Sequence, residues 1–155
     1  MSEYINEQII TETHWYPEEQ LLITHLSGRV GSLDVERWKQ SLDTSLSAIP
    51  DNGAFKIMVN LYGFKASDFE VHKKYRVIIP SLLADYGHRT GYLALFPEVE
   101  VPLTYTRGII CQAAVHVHQD ATKINDYDTR FRSANERFFT DPVQAERWIR
   151  AWKPA

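Results

Sequence analysis

Only one cysteine, Cys111, stands among the 155 residues. An internal disulfide is therefore impossible, as is a zinc site built from several thiolates of one chain. Long hydrophobic runs are missing as well. The best stretches, around residues 57–61 and 77–84, are short and interrupted, far below the ~20 residues a membrane helix needs. The opening Met-Ser-Glu-Tyr shows no basic or apolar leader pattern, so a cytoplasmic setting is the expectation. Net charge is only -3, too small to argue for nucleic acid as a partner. No Gly-x-Ser-x-Gly elbow supports a serine nucleophile. Gly28-Arg29-Val30-Gly31 has the features of neither phosphate-binding glycine motif.

What is present is ordinary: 44% hydrophobic and 24% charged residues. That composition fits one globular domain over residues 1–155, with enough chain to bury a core. Charge is uneven. Residues 1–36 carry seven acids and one base, leaving 13 acids and 16 bases for the remainder. An acidic, solvated hairpin face accounts for this, and so does self-complementary contact in a homodimer.

Apolar and polar residues alternate from Glu7 to Trp15, as in a strand, and residues 21–27 form the return strand of a hairpin. Gly28 is expected to end it. Ser32 is placed to cap a helix whose buried stripe is Val35, Trp38, Leu42, Leu46 and Ile49. Residues 55–62 read as a central strand covered on both faces. Ser67-Asp68-Phe69-Glu70 has capping-box spacing and opens a second helix, with a stripe of Val71, Tyr75, Ile78, Leu82 and Tyr86. Pro80 predicts a kink near residues 76–80, and Gly87 a stop. Residues 92–96 read as another buried strand. Residues 104–131 keep helical spacing through Ile110, Ala114, Val117, Ala121 and Ile124, with a break expected around residues 125–128. Cys111 then sits on an apolar helix face as a core residue. Arg137-Phe138-Phe139 is a short last strand. Asp141-Pro142 caps a final helix that turns Ala145, Trp148, Ile149 and Trp152 inward. Such alternation predicts α/β: one mixed, mostly parallel sheet of about five strands, an N-terminal antiparallel hairpin and four flanking helices.

Three stretches carry a resemblance: Ser27-Gly28-Arg29-Val30 ahead of the Trp38 helix, the strand ending in Tyr62-Gly63-Phe64, and Glu136-Arg137-Phe138-Phe139-Thr140-Asp141 leading into the last helix. Together they resemble the STAS-type, SpoIIAA-like domains. The resemblance implies a mixed sheet with packed helices and a non-catalytic regulatory or protein-interaction role without a cofactor. It also implies a relationship to lipid-binding CRAL-TRIO-type domains. Family members that antagonise anti-sigma factors carry a phosphorylatable serine in an Asp-Ser-Ser-Gly-like motif. Here Asp68 matches the aspartate, Phe69 stands where that serine would be, and Ser67 is the neighbouring regulatory candidate.

Two further patterns bear on chemistry. His116-Val117-His118-Gln119-Asp120 is similar to the first part of the His-x-His-x-Asp-His metal motif of metallo-β-lactamase-like hydrolases. Ala121 replaces its final histidine, and no histidine follows His118. On a helix, His116 and His118 would also face apart, so His116, His118 and Asp120 are weak metal candidates. Lys73-Lys74-Tyr75-Arg76 reads as a solvated basic face, with binding of an anion or an acidic partner as the alternative. Ligands of open α/β sheets bind beyond the carboxyl ends of the parallel strands. There the chain offers Tyr62, Phe64 and Lys65 after one strand and Phe96 after the next, aromatic walls with one cation that suit an amphiphile. The expectations are thus a regulatory module binding a protein partner or itself, then a carrier of a small amphiphilic ligand, then a metal-dependent hydrolase.

Overall fold

The computed structural model describes residues 8–97 and 100–155. Strands β1 (Ile10–Tyr16) and β2 (Leu21–Val30) form the antiparallel hairpin, Ile10 opposite Ser27 and Tyr16 opposite Leu21. The expected strand start at Glu7 lies outside the described residues. β2 does not end at Gly28, because its last residues, Gly28 to Val30, pair with a further short strand described below.

Helix α1 (Ser32–Ser47) buries Val35, Trp38, Leu42 and Leu46, and Ile49 is buried just beyond it. Gly31, not Ser32, occupies the cap position. The Asp34 carboxylate accepts the Gly31 N–H at 2.9 Å, closing the first turn from three residues downstream. Trp38 is fully buried, and its indole N–H donates to Thr24 Oγ1 at 2.7 Å. That bond satisfies the ring's one polar atom and fixes α1 against β2.

β3 (Ala54–Asn60) runs parallel to β2, and after a tight turn β4 (Phe64–Ala66) continues along the same neighbour. The turn requires Gly63, whose φ is 91°, and any Cβ there would lie 2.5 Å from Ser27 Oγ. Gln119 clasps this join. Its side-chain oxygen accepts the Gly63 N–H and its amide donates to the Phe64 carbonyl, both at 2.9 Å.

The second helix is divided into α2 (Phe69–Tyr75) and α3 (Ile78–Ala84), as the proline predicted. Pro80 falls in the first turn of α3, where its missing N–H needs no partner. Asp68 rather than Ser67 caps α2, accepting the Val71 N–H at 2.9 Å. Ser67 is half-buried, and its backbone N–H donates to the Val30 carbonyl.

Two expectations fail beyond this point. Residues 92–96 are not a strand; Gly91–Leu95 form a 3-10 helix. Nor is 104–131 one helix. Ile110–Val117 form strand β5, and Ala121–Phe131 form α4, unbroken through 125–128. An apolar run buried on both faces carries no period of its own, so helical spacing within it is coincidental. Cys111 is accordingly a buried strand residue. β6 (Glu136–Phe139) and α5 (Pro142–Ala151) follow, Asp141 capping the latter.

The strand order is β1-β2-β3-β5-β6, with β4 beside β2: one α/β sheet of six strands, parallel except for the first pair. The expected fold class holds, and β4 accounts for the extra strand. One sheet face packs Leu22, Leu26, Ile57 and Val59 against α1, α2 and α3. The other packs Leu21, Met58, Ala113 and Val115 against Ala145 and Ile149 of α5. Lys56 reaches across that second face, donating to the Arg150 and Trp152 carbonyls at the C-terminus of α5, where a cation offsets the helix dipole. Among the described residues no helix is long and apolar enough to cross a membrane.

Gln119→Leu leaves the Gly63 N–H and Phe64 carbonyl unpaired. Urea denaturation should show a loss of about 1–3 kcal/mol, with the spectrum of the folded state unchanged.

Candidate functional site

At the carboxyl ends of β3, β5 and β6, on the helical face, a narrow cleft of about 70 Å³ opens. It is smaller than drug-sized sites of ~300–1,000 Å³ and suits a compact ligand. Leu61, Val117, His116 and Phe138 come from the sheet; His72, Tyr75 and Arg76 from α2; Lys123, Ile124 and Tyr127 from α4. Tyr92 and Phe96 close it from the 3-10 segment, and His118 lies just past β5.

The inner wall is aromatic. The His116 ring stacks on Phe138 with centroids 4.7 Å apart and meets Tyr92 edge-on at 5.4 Å. Tyr92 in turn stacks on Tyr127 at 5.7 Å. Phe64 lies against Tyr75, buried, with ring centroids 4.2 Å apart. Burial pushes the Tyr75 and Tyr92 hydroxyls well above their ordinary range, so both are neutral.

Beneath that wall lies Glu136, 3% exposed and, among the described residues, the one buried carboxylate. In the parallel register Ala114 faces Glu136 and His116 faces Phe138, so Glu136 and His116 share a sheet face one step apart. His116 Nε2 is 2.8 Å from Glu136 Oε2, and the Gly91 N–H donates to Oε1 at 2.9 Å. His88 Nε2 lies 3.7 Å from Oε2, too far for a hydrogen bond but close enough to add attraction. Burial opposes ionisation of Glu136, yet the His116 contact, His88 and the Gly91 N–H outweigh it and hold the carboxyl down to about 2. Glycine is needed at 91: a Cβ would sit 2.6 Å from Phe131 Cβ and push the amide out of reach.

The mouth is basic. Arg76 lies over the Phe96 ring at 5.1 Å, and Lys123 lies 5.6 Å from the Tyr127 centroid. Among the described residues neither forms an ion pair. Desolvation, reinforced by Lys123 and Arg76, lowers His72. Desolvation and Lys123 lower His118 to about 4, against the pull of Asp120. Both imidazoles are neutral at pH 7, while the Arg76 and Lys123 cations remain. Desolvation lowers Lys123 as well, with Asp120 opposing.

Of the residues proposed from the sequence, Phe96 lines the cleft and Phe64 backs it. Tyr62 and Lys65 are exposed and do not line it. The metal candidates do not converge. His116 turns Nε2 to Glu136, His118 Nδ1 accepts the Asp120 N–H at 3.1 Å, and Asp120 Oδ1 caps α4 through the Lys123 N–H. Among the described residues no group of three His, Cys, Asp or Glu side chains is arranged to hold a metal ion. His116 and His118 do not diverge around a helix as expected, because the segment is a strand end. Burial raises the Cys111 thiol far above its ordinary range, which leaves it unreactive.

Sequence reasoning singled out Arg76 only within its basic run and missed His72, Tyr92, Lys123 and Tyr127. A signal existed for three of these. His72 with Arg76, and Lys123 with Tyr127, are spaced i,i+4, so each pair shares one helix face. Nothing local marked Tyr92. The chain matches no protein-family model, no curated protein and no solved structure.

Because the Glu136 carboxyl sits at about 2 in the folded chain against an ordinary 4.5, its stabilisation is complete above that ordinary value. It is lost as pH falls through the folded value. Thermal melts from neutral to acid pH should show roughly 3 kcal/mol disappearing across that interval. Glu136→Gln should be less stable at pH 7 and should lack this part of the acid dependence.

Proposed function

We propose that this chain is a binding domain for small organic anions, holding an apolar body in the cleft and an acidic head at its mouth. The observation that carries this reading is the pairing of an aromatic interior with Arg76 and Lys123, two cations without ion pairs among the described residues. Cations gathered in a half-buried mouth repel one another, and an anion relieves that repulsion. Neutral His72 and His118 add two groups able to take up a proton when an anion arrives.

The position beyond the parallel strand ends agrees with where open α/β sheets place ligands. The likeness to SpoIIAA-like domains supports the reading through their implied relationship to lipid-binding domains. The regulatory-module reading draws on that likeness alone, through Ser67, whereas the anion reading also has a cleft with chemistry suited to it.

Isothermal titration with benzoate, decanoate, benzylamine and decylamine tests this directly. The two carboxylates should bind and the two amines should not. Arg76→Gln and Lys123→Gln should each weaken carboxylate binding by about 5–30-fold, the worth of a half-buried charge contact of ~1–2 kcal/mol. Equal binding of amines and acids, or binding indifferent to both substitutions, would refute the proposal.

A bound anion raises the depressed His72 and His118, so the complex takes up protons. Benzoate affinity should therefore rise as pH falls from about 7.5 to about 5.5. His118→Asn should flatten that slope.

A further inference from the structure

The cleft holds a feature that recognition of an anion does not use: the His116–Glu136 pair at its inner end. We infer that His116 Nδ1 is a hydrogen-bond acceptor aimed at the ligand, and that the cleft selects aromatic carboxylates bearing a hydroxyl group away from the carboxylate. This rests on the anion-binding reading and names the ligand class of the same site.

The tautomer follows from hydrogen-bond bookkeeping. An ionised carboxylate has no proton to donate. Both Glu136 oxygens are engaged, Oε1 with the Gly91 N–H and Oε2 with His116 Nε2. His116 Nε2 must then carry the proton; we assign the ring as uncharged, which leaves the lone pair on Nδ1. Among the described residues Nδ1 has no hydrogen-bond partner, and it is not one of the fully buried unpaired atoms. The ring is only 6% exposed and lines the cleft. An acceptor is thus presented to whatever occupies the inner cleft. It is held in orientation by the Phe138 stack and the edge of Tyr92.

The shape of the ligand follows from the rings. Lys123 lies over Tyr127, Tyr127 stacks on Tyr92, and Tyr92 abuts His116. Cation, aromatic walls and acceptor follow one another from mouth to inner end. A planar ring between Arg76/Lys123 and His116 places an acid at one end and a donor at the other. An alkyl chain would fill the aromatic walls but leave Nδ1 unpaired. A buried group left without its partner is what makes a site discriminate against the analogue lacking it.

Glu136→Gln supplies the decisive variant. The substituted carboxamide must keep its oxygen for the Gly91 N–H, so its NH₂ group donates to His116 Nε2. The His116 proton then moves to Nδ1, and the acceptor facing the cleft becomes a donor. A merely structural Glu136 would lose stability on this change without altering which ligand is preferred.

The experiment combines ¹⁵N NMR of the histidine rings with titration of benzoate, 4-hydroxybenzoate and 4-methoxybenzoate. In the native chain His116 should show the Nε2–H tautomer. 4-Hydroxybenzoate should bind about tenfold more tightly than benzoate and than the methoxy compound, which cannot donate. In Glu136→Gln the ring should show Nδ1–H, and the preference for hydroxyl over methoxyl should disappear. His116→Gln keeps a donor toward Glu136 and displaces the acceptor; it should lose the hydroxyl preference. An Nδ1–H tautomer or a doubly protonated His116 ring in the native chain overturns the inference, as does equal binding of all three acids. In the latter case the anion-binding reading stands. If none of the three binds, both fall.

Discussion

A buried carboxylate that must find donors organises the far end of this sheet. Glu136 sits on the short edge strand β6, and its two oxygens draw on β5 through His116 and on the loop before the 3-10 helix through Gly91. Three segments distant in sequence are thereby tied at one point. An unpaired charge at this depth would cost several kcal/mol, so the segments hold together or all come apart. Tyr92, the second residue of the 3-10 helix that Gly91 begins, is held at the cleft wall next to that tie.

The cleft joins two environments that usually avoid each other. Its interior is apolar and aromatic, and its mouth gathers Arg76, Lys123, His72 and His118 from α2, α4 and the end of β5. The strain of this arrangement is visible in the histidines, which give up their protons more readily than in water. Among the described residues Asp120 opposes it, and that carboxylate also caps α4. A site that keeps Arg76 and Lys123 close without an ion pair among the described residues is matched to an anion from outside. At the other end of the same cleft both Glu136 oxygens are paired, while His116 Nδ1 has no hydrogen-bond partner among the described residues.

Much of the framework was readable residue by residue. The hairpin followed from alternation, α1 from a stripe at helical spacing, the break between α2 and α3 from Pro80, and α5 from Asp141-Pro142. Each is a local rule acting on a half-exposed element, where one face is written in apolar residues and the other in polar ones. β5 broke that logic. Buried on both faces between β3 and β6, it has no polar side, and Ile110, Ala114 and Val117 fell on helical spacing by chance. The error then carried Cys111 and His116 onto a helix and hid the relation between His116 and Glu136. The site suffered most. Phe64 was found from the rule that ligands lie beyond strand ends, whereas Phe96 was reached through an expected strand over 92–96 that is a 3-10 helix instead; Tyr62 and Lys65 are exposed.

Sequence alone determined the class of fold, the helix boundaries set by caps and proline, and the identity of the core stripes, because these depend on interactions within a few residues. It also determined that one thiol and scattered histidines could not make a thiolate metal shell. Only the tertiary structure decided what the polar residues do. Whether His116 meets Glu136, whether Arg76 and Lys123 share one mouth, and which ring nitrogen faces the cleft depend on strand register and on crossovers spanning tens of residues. Those choices are made by burying the sheet's two faces and by satisfying a carboxylate inside it, and no local pattern of residues records them.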